Sequence, residues 1–118
     1  MRVLLPVFAF FAAAAPLPAL AQATPGCAVS VQFGSYAMGI DRPAFDKVQA
    51  LLKRDARVRG IDLQRWGREG ETTLCVQLRR ERDARAVFGR VKAVLPRKPK
   101  GPIVVEARGM RFEAPGAR

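Results

Sequence analysis

Few residues of this sequence have the type and spacing that enzyme chemistry requires. The chain contains no histidine and no asparagine, which excludes Ser-His-Asp and Cys-His nucleophilic catalysis and any histidine-ligated metal. Its serines are Ser30 and Ser35, and neither lies in a Gly-x-Ser-x-Gly elbow. Glu69 and Glu71 flank a glycine turn, where exposed carboxylates are far commoner than catalytic ones. We therefore predict a protein that is not an enzyme and that uses no cofactor and no metal.

The two cysteines, Cys27 and Cys75, offer a different chemistry. An even pair in an exported domain predicts one disulfide, and no Cys-x-x-Cys motif indicates thiol redox work. Strand alternation gives Cys27 the parity of Val29 on the core side, whereas Cys75 has the parity of Thr73 on the opposite side. A bond between them therefore requires Cys27 to lie just outside its strand.

Export is indicated by residues 1–23, which have the pattern of a secretory signal peptide. Arg2 precedes an apolar stretch, and small residues at alternate positions lead to a cleavage site after Ala21 or after Ala23. We therefore expect a mature protein located in the periplasm or secreted.

Two other interpretations of this segment are a membrane anchor and a lipid anchor. Pro6, Pro16 and Pro18 interrupt a continuous spanning helix. A lipid anchor on Cys27 needs an apolar residue three positions earlier, and Thr24 does not supply one. We therefore expect cleavage that leaves no membrane span.

The chain is strongly basic, with 21 Lys and Arg residues against 10 Asp and Glu and a formal net charge of +11. This charge favours an anionic envelope partner such as phospholipid, lipopolysaccharide phosphate or cell-wall carboxylate. The alternative is a solvated basic surface with no specific partner. Nucleic acid is not expected as a partner of an exported domain.

Apolar periodicity predicts the element order βαββαβ. The predicted strands are 28–33, 61–66, 72–79 and 103–107; the predicted helices run from Asp41 towards Gly60 and from about Arg82 to Leu95. This order is the ferredoxin-like split βαβ arrangement, an α+β fold. It predicts a four-stranded antiparallel sheet in the order 4-1-3-2 with both helices on one face. We expect a single domain over residues 24–112 and a disordered tail over 113–118.

The helix-free face of this predicted sheet carries mostly polar side chains. By parity they are Ser30, Gln32, Gln64, Trp66, Thr73, Cys75, Gln77, Val104 and Glu106. Trp66 lies near a strand end, where an exposed aromatic ring can stack on a sugar or on a peptide ring. The alternative is a ring packed on arginine side chains. The loop with Arg97, Lys98 and Lys100 is either an anionic contact point or an ordinary solvated loop.

The segment Val-Ser-Val-Gln-Phe-Gly-Ser-Tyr at 29–36, followed by a helix, resembles the opening of the sporulation-related repeat (SPOR) domains. The segment 74–78, leading into the second helix, is similar to their second repeat. That family shares the βαββαβ order and binds peptidoglycan glycan strands that lack stem peptides, through the helix-free face. The resemblance implies that Gln32, Ser35 and Tyr36 belong to a ligand site.

Together these observations predict a non-catalytic envelope binding module whose ligand is a cell-wall glycan or another anionic envelope component. The candidate ligand-binding residues are Gln32, Ser35, Tyr36, Trp66 and Gln77. The alternative is a small structural or regulatory protein-interaction domain, similar to an inhibitor or a propeptide, that acts on a protein partner.

Overall fold

The computed structural model describes residues 26–116, so the predicted signal peptide at 1–23 lies outside the described residues. The elements in chain order are β1 (Val29–Phe33), α1 (Arg42–Lys53), β2 (Val58–Arg65), β3 (Thr72–Leu78), a 3-10 turn (Glu81–Asp83), α2 (Ala84–Val94), β4 (Ile103–Ala107) and β5 (Met110–Ala114). The predicted α+β class with two helices is confirmed. Within residues 26–116 no helix is long and apolar enough to cross a membrane.

The five strands form one antiparallel sheet in the order β2-β3-β1-β4-β5. The predicted four-stranded sheet thus lacks one strand. This fifth strand, β5, pairs with the outer edge of β4. A tight turn at Arg108 and Gly109 joins these two strands, and Gly109 supplies the left-handed backbone conformation that the turn needs. β5 continues to Ala114, two residues past the predicted domain boundary at 112.

The first helix begins where the sequence predicts and ends earlier than predicted. Asp41 caps it, since its Oδ1 accepts a hydrogen bond of 3.1 Å from the backbone N–H of Ala44. The helix ends at Lys53, and residues 58–60 belong to β2 and not to the end of the helical region. A register shift between Val58 and Gly60 interrupts the strand alternation there, which conceals the start of β2 in the sequence pattern.

One hydrophobic core lies between the sheet and the two helices. Its fully buried residues include Val29, Val31, Phe33, Val48, Leu52, Leu74, Val76, Val87, Val91, Ile103 and Val105. Phe33 of β1 meets Phe45 of α1 edge to face, with ring centroids 5.2 Å apart. The strands and helices that carry the predicted apolar stripes therefore meet as expected.

A buried carboxylate connects the end of α1 to α2. Asp55 accepts two side-chain hydrogen bonds of 2.9 Å from Arg57 and one of 3.2 Å from Arg90 in α2. The backbone N–H of Arg57 donates a further bond to the same carboxylate. The Arg57 side-chain hydrogen bonds, opposed by burial, lower the pKa of Asp55 from 3.8 to about 2.

Candidate functional site

The strand register arranges the helix-free face of the sheet in two polar rows. The first row, from β2 to β5, is Gln64, Thr73, Gln32, Val104 and Glu113. The second row is Asp62, Cys75, Ser30, Glu106 and Arg111. All the residues that sequence parity assigned to the strands of this face therefore share it. Acidic and basic side chains are mixed on the face.

Trp66 follows the last residue of β2 and lies two residues after Gln64, the β2 member of the first row. Its indole Nε1–H donates a hydrogen bond of 2.9 Å to Oγ1 of Thr73, and its backbone N–H donates to the carbonyl of Glu71 at 2.9 Å. The side chain is nevertheless 46% exposed. The ring is thus held in one orientation by the protein while part of its surface faces solvent.

The two predicted glutamines occupy different parts of the face. Gln32 is beside Thr73 in the neighbouring strand, and its Nε2 donates a hydrogen bond of 3.4 Å to Oε1 of Glu106. Gln77 donates to Oδ2 of Asp62 at 3.2 Å and lies four residues along β3 from Thr73. That spacing is about 14 Å along a strand. Gln32 and Trp66 therefore meet around Thr73, whereas Gln77 lies at the far end of the face.

Ser35 shapes the loop after β1. Its hydroxyl accepts hydrogen bonds of 2.9 Å from the backbone N–H groups of Ala37 and Gly39 and donates one of 2.6 Å to Glu69 in the β2–β3 hairpin. These bonds occupy the hydroxyl within the protein. The neighbouring Tyr36, by contrast, is 60% exposed. Ser35 therefore positions the loop, and Tyr36 is accessible to a ligand.

Three loops interlock at this end of the sheet, which we call the loop end (residues 34–41, 66–71 and 95–102). Besides the Ser35–Glu69 bond, the N–H of Gly34 donates to the carbonyl of Pro102 at 2.8 Å. The backbone N–H of Lys100 also donates to Oδ2 of Asp41 at 2.9 Å. The three loops therefore form a connected surface.

Sequence reasoning missed two exposed apolar residues at or near the loop end. Met38 is 95% exposed, and Leu63 of β2 is 52% exposed although it lies on the helix side of the sheet. Leu63 lies on the edge strand β2, whose other helix-side residues Val58 and Ile61 pack partly against the core. Met38 follows Ala37, whose φ of 143° is a strained value for a residue with a side chain. The sequence signal for the exposure of Met38 is its position in a loop between Gly34 and Gly39.

The loops of the loop end also carry exposed basic side chains. Arg97, Lys98 and Lys100 of the α2–β4 loop and Arg68 of the hairpin are exposed. None of them forms an ion pair with a carboxylate in the described part of the chain. These cations are therefore available to an anionic partner.

The predicted disulfide between Cys27 and Cys75 is present. Cys27 precedes β1 by two residues, so the strand parity that separates the two cysteines does not apply to it. The N–H of Ala28 donates to the carbonyl of Val76 at 2.8 Å and holds this segment beside β3. The bond is compatible with an oxidising environment outside the cytoplasm.

Comparison with family models, curated proteins and solved structures found no match to this chain.

Between residues 26 and 116, no group of three His, Cys, Asp or Glu side chains is arranged to hold a metal. The face carries an oriented aromatic ring with neighbouring amide and carboxylate groups, and the loop after β1 carries an exposed tyrosine. Such groups can bind a ligand through stacking and hydrogen bonds.

Proposed function

We propose that this protein is an exported, non-catalytic binding module of the cell envelope. Its ligand is a glycan strand of the cell wall, bound on the helix-free face around Trp66. The observation that carries the proposal is the half-exposed Trp66 ring, fixed by its bond to Thr73, with Gln32 and Gln64 in the same polar row.

Sugar chemistry suits this arrangement. An aromatic ring covers the apolar face of a pyranose, and side-chain amides both donate to and accept from its hydroxyl groups. The carboxylates of Asp62, Glu106 and Glu113 on the same face disfavour a highly anionic polymer there. The unpaired basic side chains are instead at the loop end, where they can contact wall carboxylates or phosphates beside the bound glycan.

The topology and the resemblance to SPOR domains give further support. The first four strands lie in the order β2-β3-β1-β4, and we infer a ferredoxin-like unit to which β5 has been added. SPOR domains use the helix-free face of such a unit for glycan strands. Gln32 and Tyr36, two of the residues in their motif, lie at or beside the face where Trp66 is exposed.

A sacculus-binding assay tests this proposal directly. The mature protein is mixed with purified peptidoglycan sacculi before and after amidase treatment that removes stem peptides. Binding should increase after the treatment and fall about tenfold for Trp66→Ala, because a sugar that covers the exposed part of the ring removes apolar surface from water, which contributes on the order of 1–2 kcal/mol. Gln32→Ala should weaken binding less.

Matched variants separate a site effect from a general one. Leu63→Ala removes an exposed apolar side chain from β2 on the opposite side of the sheet and should leave binding unchanged. Gln77→Ala, about 14 Å from Thr73, reports how far the glycan extends along the face. The glycan site would be rejected if binding disappeared at moderate salt and was unchanged in Trp66→Ala and Gln32→Ala. Binding would then be explained by the net charge of the protein alone.

A protein-interaction domain is the second candidate, and the exposure of Met38 favours it. A 95% exposed methionine beside a 60% exposed tyrosine, on a loop fixed by Ser35, is a surface that suits protein contact. If this is the function, Met38→Ser abolishes the recovery of one specific envelope protein by the immobilised domain. Trp66→Ala leaves that recovery intact, and sacculi are not bound.

Export has its own test. The intact mass of the protein recovered from the periplasm or medium should begin at Gln22 or Thr24. Without reductant, no thiol should react with iodoacetamide. A mass that includes residues 1–21, or two reactive thiols, would contradict export with an intact disulfide.

A further inference from the structure

The sheet is wider than the helix layer that covers it. Helix α2 packs on β4 and β1 and against α1, and β5 lies beyond β4 at the sheet edge. Neighbouring strands are about 4.8 Å apart, so β5 extends past the side of α2. Its helix-side residues Met110 and Phe112 are consequently only half-buried. The fold leaves an open groove between α2 and β5.

This groove has a volume of about 450 Å³, within the range of small-molecule sites. Phe112 lies on its sheet side, and α2 contributes Gly89 and Ala93, whose small size leaves the space open. Leu95 lines the end of the groove that follows α2. From Gly89 to the end of the helix at Val94, α2 advances about 7.5 Å, and Leu95 follows in an extended conformation. The groove is therefore elongated and mainly apolar, and it suits an extended hydrocarbon chain.

Two cations line the same groove. Lys92 places its ammonium 4.8 Å from the centroid of the Phe112 ring, and Arg97 is exposed at the end of the groove. Neither has an ion-pair partner among residues 26–116. The final carbonyls of α2 carry partial negative charge, so an anion in the groove would depend on Lys92 and Arg97.

We propose that the groove between α2 and β5 binds a single-chain amphiphile with a carboxylate at one end, that is, a fatty-acid-like ligand. The chain lies against Phe112, Ala93 and Leu95, and the carboxylate contacts Lys92 and Arg97. The site is on the helix side of the sheet, opposite the proposed glycan face. The groove shares only residues 95–97 with the loop end and involves no residue of the proposed glycan face.

The test is a titration of the ¹⁵N-labelled mature protein, with its disulfide intact, observed by ¹H–¹⁵N correlation spectra. The probes are decanoate, decanol and acetate, each below the concentration at which micelles form. Decanoate should shift amide signals of residues 89–97 and 110–116 and leave the Trp66 indole signal in place. Decanol should bind about tenfold more weakly, because its hydroxyl cannot form the charge-assisted hydrogen bonds that a carboxylate forms with Lys92 and Arg97. Acetate, which has no chain, should not bind.

Three variants complete the test. Lys92→Gln with Arg97→Gln should remove the preference for decanoate over decanol, whereas Lys98→Gln, a neighbouring exposed charge outside the groove, should preserve it. Ala93→Trp should fill the groove and abolish binding of both chains, with native-like spectral dispersion as its folding check. Equal binding of decanoate and decanol to the unsubstituted protein would overturn the anionic part of the proposal. Shifts confined to other regions, or no shifts, would overturn the site itself.

Discussion

The two faces of the sheet are built from the same strands and differ in almost every other respect. On the helix side, Val31, Leu74 and Val105 lie opposite one another in adjacent strands and are fully buried. One residue further along, the helix-free face carries Gln32 and Glu106 with other polar groups. Because successive side chains point to opposite faces, one strand serves both purposes. One face supplies the packing that stabilises the fold, and the other carries polar side chains that the core does not require.

The charge pairs on the helix-free face add little to the stability that the core provides. Arg111 of β5 pairs with Glu106 and Glu113, but it is half-exposed. Exposed ion pairs contribute about 0–1 kcal/mol. The polar rows therefore fix side-chain positions more than they stabilise the domain.

The largest expected effect comes from emptying the core beneath β1. Phe33→Ala removes a fully buried ring and its edge-to-face contact with Phe45 and should lower the free energy of unfolding by about 4 kcal/mol. Gln32→Ala, the adjacent residue on the other face, should change it by about 0.5 kcal/mol or less. Urea denaturation of both variants measures the difference. Similar losses for the two would mean that the helix-free face is also a packed core.

Second in size is the loss of the disulfide, which is the main stabilising feature on the helix-free face. Cys27 and Cys75 are 48 residues apart in the chain. Replacing both by alanine frees a long loop in the unfolded chain and should lower stability by about 3 kcal/mol. Glycan binding should persist below the new melting temperature, because Trp66 keeps its bond to Thr73. Binding lost while the domain remains folded would show that the bond shapes the site.

The third-largest expected effect on stability concerns the buried carboxylate of Asp55 on the helix side. Its folded pKa of about 2 lies below its ordinary value of 3.8, so the deprotonated form favours folding. This contribution, about 2 kcal/mol, is present above pH 4 and is lost as the pH falls towards 2. Asp55→Asn should therefore destabilise the domain at pH 7 and much less at pH 2.5. Asp46→Asn, in an exposed pair with Arg42, is the control and should have little effect at either pH.

How far the sequence predicts this molecule depends on how regular each element is. Asp41 before an apolar stripe predicts the start of α1, and strict alternation predicts β1, β3 and β4. β5 was not predicted because it has only two large apolar residues, Met110 and Phe112, and merges with a segment rich in alanine, proline and glycine. The beginning of β2 was not predicted because the irregular pairing after Val58 breaks the period of two.

The candidate site divides in the same way. Strand parity correctly brings Gln32 and Gln64 to one face, since parity is a local property. The bond from Trp66 to Thr73 and the exposure of Met38 depend on a hairpin and a loop whose backbone path no periodic pattern encodes. Ser35 was predicted as a ligand residue, yet its hydroxyl is engaged by two backbone N–H groups and Glu69.

The smallest expected changes in stability come from removing either of two hydroxyl groups on the helix-free face. The two changes should have opposite signs. The Ser30 hydroxyl is fully buried between Cys75 and Glu106 and has no hydrogen-bond partner in the described part of the chain. A buried polar group without a partner is unfavourable, so Ser30→Ala should raise stability by about 1 kcal/mol. The Thr73 hydroxyl instead accepts from the Trp66 indole.

Thr73→Val keeps the shape of that side chain and removes only its hydrogen bond to Trp66. It should lower stability by about 1 kcal/mol or less and weaken glycan binding, because the ring loses its fixed orientation. Thermal unfolding of both variants measures the signs. A destabilised Ser30→Ala would mean that the hydroxyl is bonded, and unchanged binding in Thr73→Val would mean that the ring needs no such support. Opposite signs would show that a buried hydroxyl on this face stabilises the domain only where it has a hydrogen-bond partner.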